Sequence, residues 1–325
     1  MARTRHRLLI ADRAHVFKQE PQRVCLVLVG FIAGQYPIKV NEPDTTLRFL
    51  PVKCVDSQNP VLCLREMYLR NPNSLLPDLA PFFPSLRSVQ NEYYASIHRF
   101  GCKMPEIDVR CGVKEYAIEF IRNVMSPPTT MKSFDEWITE SDYPGSRKRY
   151  FCELRSKIDF LKRRHLVVES FIKAEGYEEP KNPRGILSYT DETKVVLGPI
   201  CQAVDKAMFS LDYFVKGRDP KTWPGLLLDR LGENCVICTD FSSFEAHHRG
   251  LYADVVKFWF RHMTSKIVGS RHLLRLILAM VGTRNKIVFP CSKVEIDERL
   301  MSGALWTSSS NGLLNLMIMS FLVLR

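Results

Sequence analysis

The chain has 325 residues, 46% hydrophobic and 25% charged, so it can fill two globular units and is too apolar to be disordered over most of its length. Ten cysteines without a repeating spacing exclude a disulfide scaffold and fit a reducing compartment. A formal net charge of +11 points to a polyanionic partner.

Residues 1 to about 70 mix short apolar runs with prolines and carry no motif, apart from a small basic group at residues 3–7. The apolar run CLVLVGFIAG, residues 25–34, begins late for a signal peptide and is too short for a membrane span. Four prolines in NPNSLLPDLAPFFPSL, residues 71–86, oppose regular structure and predict a linker or a loop lying on a neighbouring surface. Helical apolar spacing follows in VKEYAIEFIRNVM, residues 113–125, and again in FCELRSKIDFLKRR, residues 151–164. Between them, SPPTTMKSFDEW reads as a loop leading into a short helix.

The charge excess is clustered. Residues 146–165 hold eight Lys or Arg against two acidic residues. Tyr150, Phe151 and Phe160 lie among them, as in segments that hold a phosphate backbone. A solvated helix face has the same composition, and both readings stand at this level.

After residue 167 the pattern changes. VVESFIKAEGYEEPKNPRGILSY predicts two short strands around a polar loop, and a helix is expected to begin after Gly198-Pro199. GENCVICTDF predicts a buried strand and turn, and GLYADVVKFWFRHM a helix. KIVFPCSKVEIDERLMSG then predicts a hairpin and ALWTSSSNGLLNLMIMSFLVL a long, partly buried helix. That last apolar run is again too short to span a bilayer, so no transmembrane helix is expected. Cys235 and Cys238, with His247 and His248 downstream, invite a zinc reading. In a strand, positions three apart point to opposite faces, so the two thiols diverge and no zinc site is expected.

Three segments carry candidate chemistry. In TDFSSFEAHH, Asp240 ends an apolar strand, where a carboxylate can ligate a hard divalent cation or cap the next helix. In MSGALWTSSSNGLLNLM, Gly303, Thr307 and Asn311 are spaced four apart and would share a face of a helix. Ser302-Gly303 suits a flexible loop that lets a ligand backbone approach, and Asn311 offers donors and acceptors to a sugar hydroxyl. In FIKAEGYEEPKNPRGI, Lys173, Lys181 and Arg184 could face one anion, with Glu175 and Glu179 orienting them through ion pairs.

In this order the segments resemble motifs F, A and B of viral RNA-dependent RNA polymerases, closest to the tombusvirus-like and nodavirus-like enzymes of positive-strand RNA viruses. FIKAEGYEEPKNPRGI carries the K-x-E and P-R-x-I elements of motif F, and TDFSSFEAHH looks like motif A. SGALWTSSSN matches the motif B pattern S-G-x-x-x-T-x-x-x-N at every fixed position, and YPGSRKRYF resembles a basic fingers segment. The likeness covers residues from about 130 to 325.

The resemblance implies an α+β right-hand polymerase fold: an N-terminal extension over 1–130, fingers over 131–230 and a partial palm over 231–325. It implies that Asp240 is catalytic and binds Mg2+ or Mn2+. Lys173, Lys181 and Arg184 would neutralise the incoming nucleoside triphosphate, Gly303 would let the motif B loop adjust, and Asn311, Thr307 and Ser302 would help select ribose. Glu245 stands where the family has Asp, and its extra methylene shifts the sugar-facing carboxylate. Implied partners are RNA template, primer or nascent strand, and other viral replication proteins, at membrane-associated replication complexes in the host cytoplasm.

No Gly-Asp-Asp of motif C occurs. The catalytic set is therefore expected to be incomplete and the thumb missing, with the chain alone binding RNA weakly but not polymerising it. A reverse transcriptase is disfavoured by Asn311 and motif F. A non-enzymatic RNA-binding replication scaffold is the competing reading of another class.

Overall fold

The structure is a computed structural model that describes residues 42–51, 67–69, 82–84, 86–105, 112–158, 160–177, 182–232 and 240–323. Lys181, Glu179, Cys235, Cys238 and the apolar run at 25–34 lie outside the described residues. In chain order the elements are β1 (Arg48–Pro51), β2 (Met67–Leu69), β3 (Phe82–Pro84), α1 (Val89–Arg99), α2 (Val113–Val124), α3 (Phe134–Glu140) and α4 (Gly145–Ser156). They continue with β4 (Val168–Ile172), β5 (Gly185–Tyr189), α5 (Asp191–Phe209), α6 (Trp223–Leu231), α7 (Phe244–His247), α8 (Leu251–Met263) and α9 (Arg271–Gly282). A hairpin, β6 (Arg284–Val288) and β7 (Ser292–Asp297), leads to α10 (Thr307–Val323). The class is mixed α+β, with one five-stranded sheet in the order β1-β7-β6-β4-β5 and a separate β2-β3 pair. Among the described residues no helix is long and apolar enough to cross a membrane.

Contacts divide the chain into two compact units, one from residues 1–103, 170–186 and 287–295, the other from 104–169, 187–286 and 296–325. In the first, β1 runs antiparallel to β7 with Arg48 opposite Glu295 and Pro51 opposite Ser292. The β6–β7 turn is closed by Phe289 N donating to Ser292 O at 2.9 Å. Helix α1 starts at Ser88, whose Oγ accepts from Asn91 N. Its buried Glu92 takes the Ser292 hydroxyl at 2.6 Å and Cys291 N at 3.0 Å, which pins the hairpin tip. Burial raises the Glu92 carboxyl above its ordinary value, although these hydrogen bonds pull the other way.

In the second unit, α3 and α4 pack on α5 around Trp137, Ile138, Phe151, Ile158 and Val195. A capping box sets the start of α3, with Ser133 and Glu136 each bonding the other's backbone N–H. Arg147 clamps Asp191 in the first turn of α5 with bonds of 2.7 and 2.8 Å. Helices α2, α9 and α10 pack on α8, whose Trp259 and Phe260 are fully buried.

Four local expectations need correction. The basic helix begins at Gly145, right after Pro144, and ends at Ser156, so α4 does not run to residue 164. Pro144 favours this start because proline cannot continue a helix backwards. Helix α5 begins at Asp191, and Pro199 lies inside it. Acidic residues in the first turn and the Arg147 clamp outweigh the one hydrogen bond that Pro199 forfeits. Next to it, a Cβ on Gly198 would come within 2.3 Å of the Trp137 ring, so this stretch of α5 is shaped by packing. Within the proline-rich stretch, Phe82–Pro84 forms a strand, with proline tolerated at its end. Gly303 precedes α10, so it does not share a helical face with Thr307 and Asn311.

Candidate active site

The first unit carries the basic loop between β4 and β5. Ser170 Oγ donates to Ile186 O at 2.8 Å and Lys173 N to Arg184 O at 2.8 Å, so the strands pair up to the loop's base. That pairing brings Lys173 and Arg184 to one carboxylate. Glu175 Oε2 lies 2.7 Å from Lys173 Nζ and 3.3 Å from Arg184 Nη1, while its Oε1 accepts from the Tyr177 hydroxyl at 2.8 Å. Burial would raise the Glu175 carboxyl, but the Lys173 and Tyr177 hydrogen bonds and the Arg184 charge hold it below its ordinary value. Burial, with that carboxylate beside it, pushes Tyr177 up to about 12. The Lys173 and Arg184 side chains remain 42% and 43% exposed, so a solvent-borne anion can still reach both. Glu175 thus holds two cations in a fixed spacing.

The second unit carries the other two segments. Asp240 is exposed, and its Oδ1 accepts from Phe241 N at 2.9 Å. The chain then turns sharply: Ser243 adopts φ 50° and ψ 47°, a left-handed conformation that costs a non-glycine residue about 1–2 kcal/mol. Phe241 and Phe244 stack at 4.5 Å across this turn, and the single helical turn α7 follows, with Glu245 buried on it. At its end His248 is buried, and its Nε2 lies 2.9 Å from Asn311 Oδ1 on α10. Two segments 63 residues apart in the chain are joined by that one hydrogen bond.

Burial drives His248 down to about 3, with the Asn311 bond opposing and His247 reinforcing the shift. The ring is therefore neutral, and with its proton on Nε2 it donates to Asn311 and leaves the Asn311 amide N–H groups available. A histidine whose folded value lies below the ordinary 6.5 contributes stability that is intact above pH 6.5. It is lost as pH falls from there towards about 3, because the unfolded chain takes up the proton first. We expect equilibrium unfolding to show a decline over that window, and His248→Gln to make it shallower; parallel curves for the two proteins would contradict this.

Ser302 and Gly303 dock on β5. Leu187 N donates to Ser302 Oγ at 3.1 Å, and Gly303 N donates to Leu187 O at 2.6 Å. A Cβ on Gly303 would lie 2.7 Å from Leu187 O and 3.2 Å from Ser188 Cβ. The close approach that this glycine permits is therefore to the protein's own strand. The Thr307 hydroxyl bonds back to Met301 O at 2.9 Å and Ala304 O at 2.8 Å, and Ser309 and Ser310 both bond to Trp306 O. Much of the hydroxyl-rich run is thus committed to its own turn.

Oxygen chemistry at Asp240 suits a hard cation, since Oδ2 is left for one after Oδ1 takes Phe241 N. Among the described residues no group of three His, Cys, Asp or Glu side chains gathers into a metal cage.

Sequence reasoning singled out Asp240, Asn311, Gly303, Lys173 and Arg184 and named Glu175 as the group that orients the two cations, but missed what holds Asn311 and Gly303. His248 drew notice only as a possible zinc ligand, and Leu187 drew none, because a backbone carbonyl has no sequence signature. Asp205 on α5, pushed up to about 6 by burial against a bond from Ser309, was also missed. No family model matches the chain. No curated protein matches it either.

Proposed function

We propose that this chain carries the fingers and part of the palm of an RNA-directed RNA polymerase, a right-hand fold that transfers nucleotidyl groups from ribonucleoside triphosphates to a growing RNA. The observation that supports this best is the His248–Asn311 hydrogen bond, which ties the segment resembling motif A to the one resembling motif B. Two turns that served only local capping and packing would have no need to meet, as these do through His248 and Asn311. The motif order and the Glu175-held pair of cations support it further.

In this reading Lys173 and Arg184 offset the charge of the triphosphate, with Glu175 keeping their spacing until the substrate arrives. Asp240 Oδ2 offers a ligand to a divalent cation, Mg2+ or Mn2+, which when bound supplies charge neutralisation for nucleotidyl transfer. Asn311, oriented by neutral His248, donates an amide N–H towards the ribose 2′-hydroxyl. Template and nascent RNA are the polymeric partners, and a membrane-associated replication complex with other viral proteins in the host cytoplasm is the setting the resemblance implies. A non-enzymatic RNA-binding role is the second reading, favoured by the exposed basic face of α4.

Nucleotide selection separates the two. Equilibrium binding of ATP and 2′-deoxy-ATP to the chain with Mn2+ is expected to favour the ribonucleotide. One neutral hydrogen bond accounts for a preference of about 3–10-fold, and Asn311→Ala should erase it. Equal binding of both nucleotides to the unmodified chain would remove the polymerase reading.

A further inference from the structure

Helix α4 has two contrasting faces. Inward, Phe151 is fully buried, and Arg147 stacks over it at 4.7 Å while holding Asp191. Outward, Arg149, Tyr150, Glu153 and Lys157 fall within about 100° of one another at the helical repeat, and all four are exposed. Arg149 and Lys157 have no acidic partner among the described residues, although Glu153 is only four positions away from each. Just beyond, Phe160 is 57% exposed, with Lys162 Nζ 5.5 Å above its ring. Tyr150 is 44% exposed. Phe160 follows Lys157 by three positions, so its Cα lies within about 11 Å of the Lys157 Cα.

A solvated charged face needs no aromatics, since exposed rings cost hydration. A site for an acidic peptide or a phosphate alone would likewise use the cations and leave the rings idle. Rings alternating with cations that have no acidic partner among the described residues match a flexible polyanion that carries planar faces of its own. We propose that the outward face of α4 and the segment through Lys162 bind single-stranded RNA, with Arg149, Lys157 and Lys162 against phosphates and Tyr150 and Phe160 stacking on bases. The surface needs neither Asp240 nor Asn311, so it stands or falls separately from the polymerase reading.

The test is fluorescence anisotropy of the whole chain with a labelled oligouridylate on the order of 15 nucleotides and with an abasic strand of the same length. Arg149→Glu with Lys157→Glu is expected to weaken both strands about tenfold or more and to flatten the salt dependence. Tyr150→Ala with Phe160→Ala should weaken the oligouridylate about fivefold or more while leaving the abasic strand unchanged. All four side chains are exposed, so circular dichroism and melting should match the parent chain. Unchanged affinity in the charge variant, or equal loss on both strands in the aromatic variant, would overturn the proposal. So would polyglutamate or anionic vesicles competing as well as the oligonucleotide.

Discussion

On the proposed polymerase reading, Asp240→Asn is expected to abolish template-directed synthesis, and to cut Mn2+-dependent triphosphate binding by the chain itself more than tenfold. The substitution is nearly isosteric. Oδ1 of the amide still accepts the Phe241 N–H, so the strained turn at Ser243 and the stacked Phe241–Phe244 pair stay in place. What disappears is the negative charge, and a hard cation binds an amide oxygen far more weakly than a carboxylate. RNA affinity should hardly change, because Asp240 is a single exposed acid on a chain of net charge +11. Calorimetric titration with nucleotide and Mn2+, alongside RNA anisotropy, reads both. A large loss of RNA affinity with metal binding intact would identify Asp240 as structural.

Gly303→Ala is expected to destabilise the second unit by about 2–3 kcal/mol, which is the upper range for overpacking against rigid atoms. The added methyl would meet Leu187 O at 2.7 Å and the Ser188 Cα at 3.3 Å, and backbone cannot rotate away as a side chain can. Relief requires residues 302–303 to lift off β5. That breaks the Gly303 N–Leu187 O and Leu187 N–Ser302 Oγ bonds together, each worth about 1 kcal/mol net. Ser302→Ala is the control, losing one acceptor and leaving the approach of Gly303 intact, for a cost of about 1 kcal/mol. Denaturant unfolding should show the glycine variant with a lower midpoint and an unchanged slope. Equal stability of Gly303→Ala and the parent chain would mean that this turn yields more easily than its contacts suggest.

Both arguments depend on partners far away in the chain, and here legibility divides. Most of α2, the strands β4 and β5, helix α8, the β6–β7 hairpin and α10 could be read from residue periodicity, since it records which face of an element is buried. Where local signals compete, reading was poorer: Pro199 looked like a helix start, yet α5 begins eight residues earlier, where Asp191 is held by Arg147.

The sequence by itself determined the α+β class, the basic charge, and the order and residue types of the three candidate segments. Those are properties of composition and short-range spacing. Only the tertiary structure decided why Gly303 is a glycine and which group orients Asn311. Leu187 O stands 116 residues before Gly303, and His248 lies 63 before Asn311. Hydrogen bonds across such separations leave no periodic trace, because their partners are brought together by the packing of whole elements and not by neighbours in the chain.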